Sequence, residues 1–510
     1  MSNHPSASLF FRSLLPLLLF TACSPSLPKE YDDVAAQPPI YPDYVGVTIP
    51  SNIAPLTFQL DVDADQMVAR YSAGDCQIVC ARKMKPTLRA WRQLIAASLS
   101  SGSSQIQVDV FAQRSRQWIH YSPFSITVSP DSIDPWLSFR LIAPSYVTYE
   151  ALTINQRCLE NYSESVIYDN MLCSREVEGQ CINCHNYQQY NPQRMQFHAR
   201  QHHGGTVIAY DGELKKVNMS NDSIISAGVY PAWHPWMKLI VYSTNHTSQN
   251  FLTTSRDKIE VFDSESDLIA YDIDSDEVTN IENRSDELEV FPAWAPDGRT
   301  LYYCSAHFVR NPSIENSHVD IMSRYDSIRY NIYSKSFDPS TKQFGPRRAV
   351  LIADSLMSGG ASALLPRISP DGRYMLFSMA HHGVFHIWHH DADLWMMDLQ
   401  TQEIRRLDEV NSPDTESYHS WSANGKWIVF SSRRDDGMFT RPFFAHIDGN
   451  GHFSKPFELP CADPDYHRQF LKNYNIPELM SGPVTYSPHD FARLLKGEGK
   501  PVKYVRQLSH

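Results

Sequence analysis

Phe291-Pro-Ala-Trp-Ala-Pro-Asp-Gly-Arg-Thr-Leu-Tyr-Tyr-Cys-Ser305 is the stretch that decides the fold. An apolar segment carrying Trp294 runs into a Pro-Asp-Gly turn, and a second apolar segment runs back and ends in Ser. Asp-Gly supplies the positive φ angles of a tight turn, so the stretch predicts an antiparallel β-hairpin.

Three further copies of this pattern follow the same plan, at residues 230–243, 365–378 and 418–431. Their anchor residues Trp233, Trp294, Ile368 and Trp421 lie 61, 74 and 53 residues apart. Each copy is followed, after an insert of variable length, by an alternating strand that closes on Asp, at 268–274, 331–338, 394–398 and 443–448. The second half of the chain is therefore an internal repeat of four-stranded units.

Four-stranded antiparallel units repeated around an axis form a β-propeller. The copies resemble the blades of TolB-type propellers over residues 205–460, and the resemblance implies a fold and no activity. Residues 206–211 and 213–218 match only the last two strands of a blade. Their missing inner strands must come from the C-terminal tail, at 483–487 or 502–508, or from the N-terminal half. We expect about five blades, or six, with residues 461–510 as a tail that can close the propeller.

The inserts all fall after the second strand of a blade, so the topology predicts that they share one face of the propeller. They span 244–267, 306–330, 380–392 and 432–442. One insert is rich in histidine, with His381, His382, His386, His389 and His390. This loop is either a metal site or a solvated polar loop, and the sequence does not decide between them.

Residues 43–149 predict a β-rich, sandwich-like domain with one helix. The helix is expected at 86–99, because Pro86 stands at its start and an apolar stripe follows at helical spacing. The fold class is thus mainly β: a propeller preceded by this domain and by a short, helical segment at 150–204.

That segment contains Cys181-Ile-Asn-Cys184-His185, the attachment signal of a c-type haem. Two thioether bonds would hold the porphyrin, and His185 would supply an axial nitrogen to the iron. Chance gives only about 0.007 such strings in a chain of this composition. A disulfide, a redox dithiol or half of a zinc site are the alternatives. We expect one covalent haem c.

The second axial ligand is open between Met195 and His198, which share one face if residues 195–198 are helical. His198 is slightly favoured, and a thioether from Met195 would give a higher reduction potential. Arg200 is a candidate partner for a haem propionate.

The N-terminus fits an exported protein. Residues 14–20 are an apolar run too short to cross a bilayer, so residues 1–22 read as a signal peptide. Small residues before Cys23 resemble the bacterial lipobox, which implies lipidation of Cys23. Residues 23–42 are rich in proline and predict an extended tether. We expect a lipid anchor in the cell envelope, with the outer membrane slightly favoured because Ser24 follows the cysteine.

The net charge of the chain limits the kinds of partner that it can bind. Removing residues 1–22 deletes one basic residue, Arg12, and takes the formal net charge from −12 to −13. This argues against nucleic acid as a partner.

Local disulfides are plausible for Cys76 with Cys80 and for Cys158 with Cys173, although the connectivity is open.

Together, the haem motif and the propeller repeats resemble a group of exported bacterial lipoproteins. The leading hypothesis is a membrane-anchored mono-haem cytochrome that transfers electrons or senses redox state, with a redox protein or an envelope complex as partner. The alternative is a non-enzymatic binding propeller, for a protein or a glycan, in which haem is structural or absent. An enzyme is less favoured, because no catalytic motif stands out.

Overall fold

The computed structural model describes residues 26–81, 83–144, 151–174 and 179–506. The predicted signal peptide and Cys23 lie outside the described residues. The described chain forms an N-terminal sheet with one long helix and a six-bladed β-propeller.

The N-terminal unit is built from nine strands and one helix. They are β1 (Asp32–Val34), β2 (Ile40–Tyr41), β3 (Thr48–Pro50), β4 (Gln59–Leu60), β5 (Gln66–Ala73), β6 (Cys76–Ala81), α1 (Leu88–Ser100), β7 (Gln105–Arg114), β8 (Gln117–Tyr121) and β9 (Phe124–Ser129). Seven of the strands join in one sheet, in which β7 lies between β5 on one side and β8 and β9 on the other. Strands β2 and β4 pair separately.

Helix α1 begins after Thr87, whose hydroxyl accepts a hydrogen bond from the Ala90 backbone N–H. Its apolar stripe buries Trp91, Leu94 and Ile95 against the sheet, as the spacing predicts. The layer over the sheet is therefore this helix, where the sequence suggests a second sheet of a sandwich.

The propeller contains six blades, named here in order of their first strand. Blade 1 combines β10 (Trp136–Ile142), β11 (Thr153–Cys158) and β12 (Glu164–Asp169) with β33 (Asn473–Met480). Blade 2 holds β13 (Gln180–Tyr187), β14 (Arg194–Gln201), β15 (Gly205–Tyr210) and β16 (Glu213–Asn218). Blade 3 holds β17 (Val229–Trp233), β18 (Leu239–Phe251), β19 (Ile259–Asp272) and β20 (Glu277–Glu282).

The remaining three blades follow the repeats seen in the sequence. Blade 4 holds β21 (Glu287–Trp294), β22 (Thr300–His307), β23 (Tyr330–Asp338) and β24 (Gln343–Leu351). Blade 5 holds β25 (Ser362–Ile368), β26 (Tyr374–Ala380), β27 (Asp393–Asp398) and β28 (Ile404–Arg406). Blade 6 holds β29 (Glu416–Trp421), β30 (Trp427–Ser432), β31 (Arg441–His446) and β32 (Phe457–Glu458).

Strand β33 closes the propeller, because it lies beside β10 as the inner strand of blade 1. The closing strand comes from the C-terminal tail, but it precedes the two segments that the sequence suggested. Helix α2 (Ser317–Met322) lies in the insert between β22 and β23. The tail contains α3 (Tyr466–Gln469) before β33 and α4 (Pro488–Lys496) after it. Two short strands, β34 (Lys500–Pro501) and β35 (Lys503–Tyr504), then extend the outer edges of blades 2 and 3.

The expected helical segment at 150–204 is wrong in its secondary structure. Its described residues form β11 to β14, and β13 and β14 supply the missing inner half of the blade at 205–218. The propeller therefore runs from Trp136 to Met480, beyond the bounds predicted at 205–460.

The N-terminal unit and blade 6 share one hydrophobic core. Trp427, Val429 and Phe444 of blade 6 join the apolar face of β5 and β7 in a single buried cluster. Trp427 also donates a hydrogen bond from its indole N–H to the Asp131 carbonyl oxygen, at 3.3 Å. The two units therefore pack as one body.

The cysteines in the described residues are free thiols. Cys76 and Cys80 lie four residues apart on β6, which places their Cα atoms roughly 13 Å apart, beyond disulfide range. The thiol of Cys173 instead contacts the Ala492 carbonyl oxygen at 3.2 Å. The expected local disulfides are thus absent from the described part of the chain. Among the described helices, none is long and apolar enough to cross a membrane.

Candidate functional site

A ring of six strained residues surrounds the axial channel, one from the inner strand of each blade. Each has a left-handed backbone: Cys184 (φ 58°), Tyr230 (48°), Phe291 (50°), Leu365 (56°), Tyr418 (43°) and Ile476 (52°). All six border a cavity of about 40 Å³ on the axis. Each blade has a register shift at this level, so the ring is a repeated β-bulge.

The haem-like motif occupies this repeated position in blade 2. Cys184 stands where the other blades carry an aromatic or aliphatic side chain, and His185 stands where four of them carry proline. In blade 6 the equivalent residue is His419, whose ring nitrogen Nε2 lies 3.1 Å from the Leu376 carbonyl oxygen. The motif is therefore the inner strand of a blade, with a local geometry that the other blades repeat.

The bulge brings both thiols to one face of blade 2. Cys181 lies opposite Arg200, with Nη2 and Sγ 3.8 Å apart, and Asn183 lies opposite His198. Burial raises the pKa of the Cys184 thiol, although the Tyr230 backbone N–H and the cation of Arg200 both favour its ionised form. Cys181, Cys184, His198 and Arg200 form what we call the thiol face, which is directed at blade 3.

His198 is a buried neutral imidazole on this face. Its Nδ1 lies 3.0 Å from the Thr206 hydroxyl oxygen. Burial, helped by the positive charge of Arg200, lowers its pKa to about 3. The ring is therefore uncharged at neutral pH and keeps a lone pair for a metal.

His185 and Met195 lie on the opposite face, directed at blade 1. The His185 ring lies 6.3 Å from the ring of Tyr187 and packs against the backbone at Ser138 and Ile476. Within the described residues, neither of its ring nitrogens makes a well-formed hydrogen bond. Burial lowers its pKa to about 3, and the Arg140 cation adds to this.

Met195 belongs to the packed core between blades 1 and 2. The prediction that Met195 and His198 share a face is wrong, because residues three apart on a strand point to opposite sides. His198 lies on the strand face of Arg200, whose guanidinium contacts Cys181, and Met195 lies on the other face. Cys181 also borders the core that contains Met195.

The fit to a haem is therefore partial. Two free thiols, a neutral imidazole at His198 and a cation at Arg200 are the groups that a covalently held porphyrin needs. His185, the expected axial ligand, leaves the strand on the side away from the thiols. The cavity of about 40 Å³ is also far smaller than a porphyrin. A haem-bearing form must differ from this one in the side chains around Tyr230.

A wider chamber of about 170 Å³ continues along the axis. Its wall includes the three repeat tryptophans Trp233, Trp294 and Trp421. Arg367 and Glu478 pair across it at 3.1 Å, and the Asn186 side-chain amide donates to the same carboxylate at 3.1 Å. Burial raises the pKa of Glu478, while Arg367 opposes the shift. Sequence reasoning missed this ion pair, because nothing in the repeat marks its two positions.

The inserts do meet on one face, as the topology predicts. The Ser248 hydroxyl lies 2.6 Å from Nδ1 of His318, which joins two different inserts. In the histidine-rich loop, His382 and His389 converge on Glu260 of β19. Glu260 was not a sequence candidate, since it lies more than a hundred residues before the histidines and inside a strand.

Comparison with known proteins adds little beyond the fold. No protein-family model matches the chain. No curated protein matches it either. Among solved structures, prolyl oligopeptidase B from Galerina marginata is 10% identical with a TM-score of 0.35, and the match covers 65% of this chain and 52% of that protein. The chain thus spans about half the length of that enzyme.

Two other solved structures match over most of their own length. An auxiliary nutrient binding protein from Bacteroides thetaiotaomicron is 9% identical with a TM-score of 0.32, covering 78% of this chain and 95% of that one. A protein from Lactobacillus plantarum is 11% identical with a TM-score of 0.32, covering 78% and 97%. At these scores the matches carry no argument about function.

Proposed function

We propose that this chain is an exported, lipid-anchored propeller that carries one c-type haem on Cys181 and Cys184, and that it transfers electrons or senses redox state in the cell envelope. The observation that carries the proposal is the thiol face. Two free thiols at C-x-x-C spacing share one side of a buried strand with a neutral imidazole and a guanidinium.

The haem would supply one-electron chemistry, and the chain's own residues would hold it. Cys181 and Cys184 are the anchors, and His198 is the nitrogen ligand on their face. Arg200 supplies a positive charge for a propionate. Because His185 lies on the other face, we do not propose it as a ligand of the haem iron in the folded protein. The propeller would serve as the docking platform for a redox partner or an envelope complex, tethered to the membrane through Cys23.

Variants separate these roles. The protein is made in a host that matures c-type cytochromes, and its native absorption spectra are recorded in both redox states. Replacing both cysteines, C181A with C184A, should abolish covalent haem. His198→Ala should keep the haem but change its Soret and α bands, because an iron ligand is lost.

His185→Ala is the matched control, because it also removes a buried imidazole from blade 2, one residue after Cys184. It should keep both the haem and its spectrum. A spectrum that changes in His185→Ala and not in His198→Ala would contradict the proposed ligand. Wild-type protein without any haem would contradict the proposed function itself.

A second candidate, a binding propeller, is favoured by the axial chamber. Three tryptophans and a partly buried Arg367–Glu478 pair combine apolar contact area with directed polar groups, as small-molecule sites do. The ligand class would be a peptide or a glycan. Glycan and peptide arrays probed with the wild type and with Arg367→Ala test it. Binding that is lost in the variant and indifferent to redox state supports this candidate, and an array without signal removes it.

A further inference from the structure

Three side chains from two different inserts converge above the ring end of the channel. Nε2 of His389 lies 3.1 Å from a carboxylate oxygen of Glu260, and Nε2 of His382 lies 3.7 Å from the same oxygen. The donor atoms of all three lie within 4.8 Å of one another. Glu260 and His389 are 2% and 1% exposed. Two of the three side chains are thus buried, and His382 is 23% exposed at the edge of the cluster.

The surrounding residues hold the three donors in place. Gly383 lies between them, and a Cβ on it would stand 2.7 Å from Cε1 of His389 and 3.0 Å from an oxygen of Glu260. The Thr415 hydroxyl donates to the His389 carbonyl oxygen at 2.7 Å. The hydrogen bond from Thr415 fixes the backbone at His389. Glycine at position 383 leaves free the space that a side chain would fill between the donors.

The other histidines of the loop have different partners. His390 contacts Asp257 at 2.8 Å, His386 contacts the Ser378 hydroxyl at 3.0 Å, and His381 pairs with Asp391. They anchor the loop and leave His382 and His389 to face Glu260. The cluster at Glu260 therefore contains two imidazoles and one carboxylate.

Two imidazoles and a carboxylate are a zinc ligand set that keeps one position open. Glu260 and His389 are buried side by side, and burying a carboxylate without a compensating charge is costly. A divalent cation between the three donors would supply that charge.

We propose that Glu260, His382 and His389 bind a divalent transition-metal ion, with Zn²⁺ as the expected occupant. The ion would tie the β18–β19 hairpin to the loop between β26 and β27. The two segments already pack together, since Ile259 and Val261 contact Ile387 and Trp388 in a cluster that reaches the ring residue Tyr418. The site therefore fixes a cap over the ring end of the channel.

Zinc titration of the full chain tests this site. The protein is stripped with a chelator and titrated with ZnCl₂ by calorimetry. We expect one site with a dissociation constant below about 1 µM. Glu260→Gln and His382→Ala should each weaken binding at least tenfold. His246→Ala, which removes a half-exposed histidine of the β18–β19 hairpin that also carries Glu260, should bind as the wild type does.

Absence of a one-to-one site in the wild type would overturn the proposal. So would a loss of binding in His246→Ala equal to that in His382→Ala. His389 is fully buried and its variant is not used, since it would risk unfolding. As a second readout, Co²⁺ in place of Zn²⁺ should give visible absorption bands typical of low coordination number, and Glu260→Gln should change them. The titration is repeated in the C181A and C184A double variant, so its outcome does not depend on haem.

Discussion

At the scale of single residues, the six left-handed ring positions set the geometry around the axis. A left-handed backbone conformation is energetically unfavourable for residues other than glycine, and it is most unfavourable for the β-branched Ile476. The strain persists because each residue sits in a bulge that packs against the next blade. The consequence at Cys184 is specific: the bulge turns its thiol to the face of Cys181 and sends His185 to the other side.

A buried acid gives a prediction about pH. Glu289 of β21 is fully buried, and one of its oxygens has no hydrogen-bond partner among the residues that the structure describes. Burial, with the nearby Asp267 and Glu282 carboxylates, raises its pKa from 4.5 to about 9. Between these values the unfolded chain loses the proton while the folded protein keeps it. Stability should therefore fall as the pH rises, by up to about 1.4 kcal/mol per pH unit.

Glu289→Gln removes this penalty, since the amide has nothing to ionise. Chemical denaturation of the wild type and of Glu289→Gln at pH 5 and pH 8 measures how their free energies of unfolding differ. The variant's advantage in free energy of unfolding should grow by about 2–4 kcal/mol between the two values. Stability profiles that run parallel across this range would show that Glu289 is ionised in the folded state.

At this scale the sequence predicted that the thiols, Arg200 and either His198 or Met195 meet at one haem, and it expected Met195 and His198 to share a helical face, which they do not. The pairing of β13 with β14 instead places Arg200 opposite Cys181 and His198 opposite Asn183. The ligand set at Glu260 could not be predicted, because β19 supplies the carboxylate and a different insert supplies the histidines. Contact between inserts depends on how the blades are arranged in space.

At the scale of elements, blades 3 to 6 were predictable because each contains an apolar hairpin. Its turn carries Asp-Gly or Asn-Gly in blades 4 to 6 and His234-Pro235-Trp236 in blade 3. Blade 2 lacks such a turn sequence. Its first turn is made by Gln188–Tyr190, with Gln189 and Tyr190 in left-handed conformations where Asn or Gly is usual. Blade 1 was hidden because its inner strand lies more than three hundred residues after its neighbour β10.

The closing strand β33 should be essential to stability. Leu479 is 1% exposed and pairs with Leu137 across the closure. Leu479→Ala should cost about 2–5 kcal/mol, as buried leucines do. Leu471, 69% exposed and just before the strand, provides the control, and Leu471→Ala should cost below about 0.5 kcal/mol. Guanidinium denaturation compares them, and equal midpoints would mean that β33 does not close the ring.

At the scale of the whole molecule, the N-terminal unit and the propeller share a core that composition could not foresee. Trp427 belongs to blade 6 yet packs in the cluster of the N-terminal sheet. The six blades form a closed ring in which each inner strand contacts the next. The molecule should therefore unfold in one cooperative transition.

Trp427→Ala tests this coupling, with an expected cost of about 3–5 kcal/mol. Hydrogen exchange followed by mass spectrometry should show that protection falls together in β5–β7 and in β30–β31. Trp236→Ala, a half-exposed tryptophan of blade 3, is the control and should leave both regions protected. Faster exchange in blade 6 alone would mean that the two units are energetically independent.

The central claim is that Cys181 and Cys184 hold a haem. The measurement that tests it most directly is a reduced-minus-oxidised spectrum in alkaline pyridine, taken on wild-type protein that has been denatured and separated from free haem. The proposal predicts a c-type haemochrome that stays with the polypeptide, in a ratio of one haem to one chain. A spectrum without haemochrome, from a host that matures a control cytochrome, would contradict it and leave the two thiols as structural residues of blade 2.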